Sequence, residues 1–460
     1  MAPTFGTSGL RGLVTDLTDD LVARHVRAFL RVCPQGDRLF VGRDLRPSSP
    51  RIARAVMHAA QAAGLDVVPC GAVPTPALAE AAMAAGAGAV MVTGSHIPAD
   101  RNGLKFYVPG GEITKTDETR ILAALAAPTP DTAAEGRELS APDLETRFVR
   151  RYADAFAPDA LAGLRIGVYR HSSVARDLLG RALTQLGAEV VELGHSGTFI
   201  PVDTEAVEPE TRQTLAEWTA AHGLNAIAST DGDGDRPMLT DASGRLVPGD
   251  VLGVLTARHL GARVIVTPVS SNDMVRRMGF ERVILTRIGS PHVIAGMEEA
   301  VAADPAARVA GFEANGGFLL GFAAHPAGPL APLMTRDSLL PILAPLVAAR
   351  AAGVDLAALV AALPPCFTAA DRLTGIDRDR AAGFLQRLKA DPSALLGAGP
   401  PVESLDRTDG LRMNLVDGTV LHLRPSGNAP EFRIYVQAAS PDAAQGMLAR
   451  YRPAIAAALD

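Results

Sequence analysis

A chain of 460 residues exceeds what one hydrophobic core usually serves, so roughly two to four domains are expected. Hydrophobic residues make up 48% and charged residues 20%, an ordinary balance for a globular enzyme, and the net charge of −6 argues against a nucleic acid as main partner, since phosphate backbones call for a basic face. The three cysteines, Cys33, Cys70 and Cys366, are far apart and lack metal-ligand spacing, so they read as reduced structural thiols of a cytoplasmic protein.

The N-terminal string MAPTFGTSGLRG has no signal-peptide core. Within it, FGTSGLRG places Gly6, Gly9 and Gly12 around Arg11. Glycines let backbone amides approach a ligand and an arginine can grip an anion through two bonds, although by itself the string is better explained by a simple turn. A pattern of strand, serine-containing loop, helix, glycine and strand then occurs three times. The first copy has strands at 38–43 and 65–69 around a helix at 52–63; the second, strands at 164–169 and 189–193 around a helix at 175–186; the third, strands at 263–267 and 282–286 around a short helix near 274–278. Copies at roughly hundred-residue spacing predict three related mixed α/β domains.

Each copy should continue to a further strand, at 87–92, 224–229 and 308–311, whose exit loop occupies an equivalent place. Ligands of open α/β sheets bind at strand carboxyl ends, so the three exit loops are expected to converge. The first, TGSHIPADRNGLKFY at 93–107, holds Ser95, His96, a turn at Asn102-Gly103, and Lys105. By residue type alone, Ser95 is a capping or turn serine. A Ser–His–Asp triad is not expected, because neighbouring side chains do not naturally face each other and no G-x-S-x-G string is present.

The second exit loop alternates Asp231, Asp233 and Asp235 with two glycines. Such carboxylates repel unless a cation neutralises them, and an all-oxygen set favours Mg²⁺ or Ca²⁺ over Zn²⁺. An EF-hand fails: counting from Asp231, the glycine position is Arg236 and the final glutamate position is Ala242. Further on, Arg287 and His292 flank a strand-end loop, and the third exit loop reads GFEANGGF with Glu313 and Asn315. Residues 339–363 are apolar but interrupted by Pro341, Pro345, Arg350 and Asp355, which predicts buried helix and no membrane span. After Pro364-Pro365 the pattern changes. Strands at 411–416 and 419–423 around Asp417-Gly418 predict a hairpin with a two-residue turn. It leads into RPSGNAPEFR, where Arg424 and Arg433 flank a Ser426-Gly427-Asn428 loop suited to clamping a phosphate.

Taken together, these strings resemble the α-D-phosphohexomutases, the family of phosphoglucomutase and phosphomannomutase. The family's T-x-S-H-N-P then N-G-x-K is here Thr93-Gly94-Ser95-His96-Ile97-Pro98, then Asn102-Gly103-Leu104-Lys105, with Ile97 in place of asparagine. G-T-S-G-x-R-G, D-G-D-G-D-R, G-E-x-S-G and R-P-S-G-T-E-P have counterparts in the same order; Asn315 stands for serine, Asn428 for threonine and Ala429 for glutamate, and a histidine common after the third loop is missing. The resemblance spans the chain. It implies three mixed α/β domains and a C-terminal α+β domain around a central cleft, with divisions at 1–150, 151–255, 256–365 and 366–460. It implies that Ser95 carries a phosphate, with Lys105, Arg11 and His96 as its catalytic partners. One Mg²⁺ per chain would be held by Ser95, Asp231, Asp233 and Asp235. Substrate would be bound by Arg236, Arg287, Glu313, Asn315, Arg424, Ser426, Gly427, Asn428 and Arg433. Hexose phosphates are the implied substrates and a hexose 1,6-bisphosphate the activator and intermediate, with mannose preferred over glucose in a route to GDP-mannose. The implied protein is a cytoplasmic monomer or weak homo-oligomer, without nucleic-acid or membrane partners. The alternatives are a phosphoglucomutase, a Mg²⁺-dependent sugar phosphatase that loses the phosphate to water, or a silent sugar-phosphate binder.

Overall fold

The structure is a computed structural model, and it describes residues 3–6, 9–127, 134–397, 399–426 and 431–459. Three of its four sheets repeat one plan. In the first, Arg38–Arg43 runs parallel to Asp66–Ala72 on one side and Gly88–Val92 on the other, and Arg101–Val108 returns antiparallel beside Gly88–Val92. In the second, Arg165–Tyr169 lies between Glu189–Leu193 and Ala226–Thr230, with Pro237–Leu239 as the antiparallel return. In the third, Val264–Pro268 lies between Arg282–Thr286 and Val309–Phe312, with Phe318–Leu320 returning. Further strands extend the first sheet to seven and the third to five.

The inner parallel strands are short apolar runs because helices cover both faces. Gly88–Val92, Ala226–Thr230 and Val309–Phe312 are buried at every residue. Each hands the chain to its antiparallel neighbour through a short loop, residues 93–100, 231–236 and 313–317. The repeat thereby sets three loops at equivalent strand ends. The fourth sheet is antiparallel throughout, in the order Phe367–Thr374, Glu431–Ala438, Val420–Pro425, Leu411–Leu415, Val402–Asp406. Helices Arg378–Ala390 and Pro441–Leu459 close its core.

Hydrophobic cores are distributed unevenly. The second and third sheets share one continuous cluster, Phe148 to Leu363, which Ala77 on helix Thr75–Ala84 joins from the first sheet's side. The first and fourth sheets each have their own. The fourth docks on the third through polar contacts: buried Arg412 pairs with Asp273, Gln437 Nε2 donates to Ser271 O at 3.0 Å, and Gln437 Oε1 accepts from Asp273 N at 2.9 Å.

Several local expectations are corrected. Asn102-Gly103 is no turn; both lie inside strand Arg101–Val108. A Cβ on Gly103 would sit 2.2 Å from Leu10 O, so the glycine lets strand Leu10–Leu13 pair closely, with Arg11 opposite Gly103. The C-terminal hairpin turns through three residues, because Val416 joins Asp417 and Gly418: Gly418 N donates to Leu415 O at 2.9 Å with Gly418 at φ 80°. The helix expected near 274–278 is a 3₁₀ turn, Asp273–Arg277, because Asn272 caps it and Gly279, at φ 77°, stops it. Positions 150 and 255 fall inside helices Leu144–Ala153 and Gly249–His259, which belong to the shared core and so are not linkers. Residues 339–363 form helices Leu340–Ala351 and Leu356–Ala361. Among the described residues no helix is long and apolar enough to cross a membrane.

Candidate active site

Ser95 has a left-handed backbone, φ 55°, the sole such non-glycine among the described residues. Two buried groups hold it there. Asp44 Oδ2 accepts from Thr93 Oγ1 at 2.8 Å, and Thr93 Oγ1 accepts from Ser95 N at 2.7 Å. Arg46, with its side chain fully buried, donates to three carbonyls of the loop and to the first of the strand that follows: Ser95 O at 2.8 Å, Ile97 O at 2.5 Å, Pro98 O at 2.7 Å and Arg101 O at 3.1 Å. Gly94 is required for this clamp, since a Cβ there would lie 2.7 Å from Arg46 Cζ. The guanidinium also stacks 4.2 Å from the Phe199 ring centroid.

This backbone aims Ser95 across to the second sheet. Ser95 Oγ donates to Asp231 Oδ2 at 2.6 Å, and His96 Nδ1 lies 3.4 Å from Ser95 Oγ. Lys105 Nζ bridges Asp233 Oδ2 at 2.7 Å and Asp235 Oδ2 at 2.5 Å, and Thr75 Oγ1 donates to Asp233 Oδ2 at 2.6 Å. Burial and the facing Asp233 and Asp235 hold the Asp231 carboxyl well above the usual range. Burial also opposes ionisation of Asp233, but Lys105 and Thr75 outweigh it and hold that carboxyl well below. Burial, with Arg236 and Arg11 nearby, keeps the His96 imidazole neutral well below its ordinary pKa.

The carboxylates also suit a cation. Ligand atoms of Asp231, Asp233 and Asp235 lie within 4.8 Å of one another, and Asp233 Oδ1 and Asp235 Oδ1 are buried without a hydrogen-bond partner. Two orphaned oxygens in an all-oxygen set fit Mg²⁺, which takes carboxylates and leaves positions for phosphate or water.

Cations ring the site. Arg11 has no side-chain partner among the described residues; burial, Arg236 and Arg336 push its pKa down to about 10. Arg236 stands 4.0 Å from Asp235 and Asp203, and Arg336 pairs with Asp235 at 2.8 Å and Glu313 at 3.5 Å. Arg336 thereby links the metal loop to the third sheet's loop. There Asn315 Oδ1 accepts from Gly317 N at 3.0 Å and shapes the turn that presents Glu313. Three guanidinium groups converging beside a buried hydroxyl suit a phosphate, which arginine forks hold through paired hydrogen bonds.

On the fourth sheet, Arg424 and Arg433 stand directly opposite each other on neighbouring strands. Like charges so placed repel, which an anion between them would relieve. Arg424 pairs with Asp409 at 3.2 Å, Arg433 with Glu431 at 3.4 Å, and Ser426 N donates to Glu431 O at 2.7 Å. Gly427 and Asn428 lie outside the described residues. Arg287 is exposed and is not drawn into the central cluster. Its neighbour Ile288 N donates to Asp409 Oδ2 at 3.0 Å and ties that loop to the fourth sheet.

The structure therefore brings together Ser95, His96, Lys105, Arg11, the three aspartates, Arg236 and Glu313. Sequence reading missed Asp44, Arg46, Thr75 and Arg336. Arg336 left a faint signal, since an Arg-Asp pair is out of place in the buried strand Leu333–Asp337.

Comparison with known proteins agrees. Profiles described as phosphoglucomutase/phosphomannomutase α/β/α domains I, II and III match residues 2–131, 147–244 and 248–367. A phosphomannomutase of Sinorhizobium fredii is 46% identical over 98% of both chains. One of Salmonella muenchen is 40% identical over 95% of this chain and 92% of its own. Among solved structures, a phosphoglucomutase/phosphomannomutase family protein of Burkholderia thailandensis superposes with a TM-score of 0.78 at 25% identity, covering 98% of this chain and 97% of that one.

Proposed function

The chain belongs to the phosphoglucomutase/phosphomannomutase family, and from that premise we propose that it interconverts mannose 1-phosphate and mannose 6-phosphate through a phosphorylated Ser95. The observation that carries the reading is the hydrogen bond of 2.6 Å from Ser95 Oγ to Asp231, at the meeting point of loops from two sheets.

The phosphoryl group of phospho-Ser95 passes to the free hydroxyl of a hexose monophosphate. The bond from phosphorus to Ser95 Oγ breaks as the bond to the sugar oxygen forms, the sugar hydroxyl's proton ends on Ser95 Oγ, and a hexose 1,6-bisphosphate results. The bisphosphate reorients, and its other phosphoryl group returns to Ser95. Asp231, Asp233, Asp235 and Ser95 would hold Mg²⁺, which when bound neutralises charge on the transferring phosphoryl group. Arg11 and Lys105 stabilise the same charge from the protein side. Neutral His96 holds the proton exchanged at Ser95 Oγ, 3.4 Å away. Arg236 orients the reacting phosphate, Glu313 and Asn315 orient the sugar, and Arg424, Ser426, Gly427, Asn428 and Arg433 hold the distal phosphate. Arg287 completes the wall beside them. Positioning is the main demand of such a transfer, and one clamp reading either phosphate serves both orientations.

All these residues come from one chain, so a monomer is complete, and hexose 1,6-bisphosphate serves as activator by phosphorylating Ser95. With its cysteines unbridged, we assign the protein to the cytoplasm, feeding GDP-mannose synthesis. The test is a coupled assay of mannose 1-phosphate and glucose 1-phosphate, each with Mg²⁺ and a trace of its bisphosphate, with free phosphate followed alongside. Hexose 6-phosphate without phosphate release is expected, with the higher kcat/KM for mannose. Release of phosphate without 6-phosphate would mean a phosphatase.

A further inference from the structure

The loop after strand Glu189–Leu193 belongs to none of the motifs above, yet it touches three of the loops that form the site. Thr204 Oγ1 donates to Asn315 O at 3.3 Å. Asp203 lies 4.0 Å from both His96 Nε2 and Arg236 Nη1. Its Oδ1 also accepts from Glu205 N at 3.1 Å, so the backbone at Glu205 is fixed. The Glu205 side chain is exposed and has no hydrogen bond or ion pair among the described residues. Its charged neighbours are Arg236, Asp203, Arg433 and Glu313, drawn from the second, fourth and third sheets.

Three carboxylates, Asp203, Glu205 and Glu313, thus share one wall of the cleft. Desolvation in the cleft, with Asp203 and Glu313 nearby, raises the Glu205 pKa to about 7 against the pull of Arg236 and Arg433; carboxyl oxygens accept hydrogen bonds, and where ionised they repel one another and any phosphate placed against them. A ligand rich in O–H donors satisfies them. Phosphates fit the arginines instead. Arg236 is 8% exposed and its Nε makes no hydrogen bond, and the Arg433 Nε is likewise buried without one. Cations with carboxylates among them match a molecule that is anionic at its ends and hydroxylated in its middle.

We infer that Glu205 is a specificity-determining residue of the hexose site, accepting hydrogen bonds from sugar hydroxyls alongside Glu313. This rests on the hexose phosphate reading above. The opposing account is that Glu205 merely lowers the positive potential of Arg236 and Arg433. The two predict opposite signs for one ligand. Calorimetric titrations of wild type, Glu205→Ala and Glu205→Gln with mannose 6-phosphate and with inorganic phosphate separate them. Glu205→Ala should weaken mannose 6-phosphate by about tenfold to a hundredfold while inorganic phosphate binds as well or better. Glu205→Gln keeps an acceptor oxygen and should recover part of the loss. Mannose 1-phosphate kcat/KM should fall by a similar factor. Tighter binding of both ligands in Glu205→Ala, or no change in either, would overturn the inference. A wild type that binds mannose 6-phosphate without converting it would sink the mutase reading alone. A wild type that does not bind it would sink both.

Discussion

Ser95 spends stability on its geometry. A left-handed non-glycine backbone costs roughly 1–3 kcal/mol and persists where its surroundings over-determine it. The surroundings here are Thr93, Asp44 and Arg46. Ser95→Ala and Ser95→Gly should both abolish turnover, but Ser95→Gly should be more stable by about 1 kcal/mol, because glycine adopts φ 55° freely. Urea midpoints of the two variants measure the difference; equal midpoints would mean that the loop is unstrained. Arg46→Lys keeps the charge and loses the planar fork that reaches four carbonyls. It should reduce kcat at least about a hundredfold, since small misplacement of a reacting group is costly. An active Arg46→Lys protein would show that the clamp does not set Ser95. Ser95 and the aspartates were legible because each carries its chemistry in its own residue type. Arg46 was not: its meaning lies in carbonyls about fifty positions away that only the fold brings near.

At the scale of elements, the repeat was legible because parallel strands covered on both faces are apolar runs bounded by turn residues. The antiparallel returns were not, since their pairing depends on which strand lies beside them. Asn102-Gly103 shows the difference: the same dipeptide that signals a turn serves here as a flat place for strand Leu10–Leu13. Gly103→Ala would drive a methyl group into Leu10 O, displace Arg11, and cost both stability and turnover; the measurement is thermal midpoint together with kcat. The hairpin was read with the right strands and the wrong loop, because Val416 carries no turn signal of its own. On the fourth sheet, Arg433→Ala removes the cross-strand repulsion with Arg424. It should raise KM for mannose 1-phosphate about tenfold or more while lowering stability little. A fall in kcat with KM unchanged would place Arg433 at the chemistry instead.

At the scale of the molecule, the second and third sheets form one body and the fourth is attached by a few polar contacts. Asp273→Ala would leave buried Arg412 unpaired, a loss of about 3–5 kcal/mol in the attachment of the fourth sheet. Proteolysis near residues 364–366 should accelerate sharply; unchanged cleavage would mean that Gln437 holds the fourth sheet without Asp273. The fourth sheet also carries a pH-sensitive group. His422, stacked on Tyr435 and hydrogen-bonded to Asp409 O, has its pKa pushed down to about 4 by burial. Its neutral form is favoured in the fold, so its contribution is full above the unfolded pKa near 6.5 and is lost as pH falls toward about 4. Urea midpoints at pH 7 and pH 5 should drop less in His422→Gln than in wild type.

The clamp on Ser95 is finished early along the chain, its charged partners in the metal loop come some 136 positions later, and the distal arginines lie on the last two strands. A ribosome delivers these parts in that order. On the function proposed above, a nascent chain that lacks Arg433 brings Ser95 to Asp231 without the grip on the distal phosphate that reorientation needs, so turnover would require the last strands as well as the first.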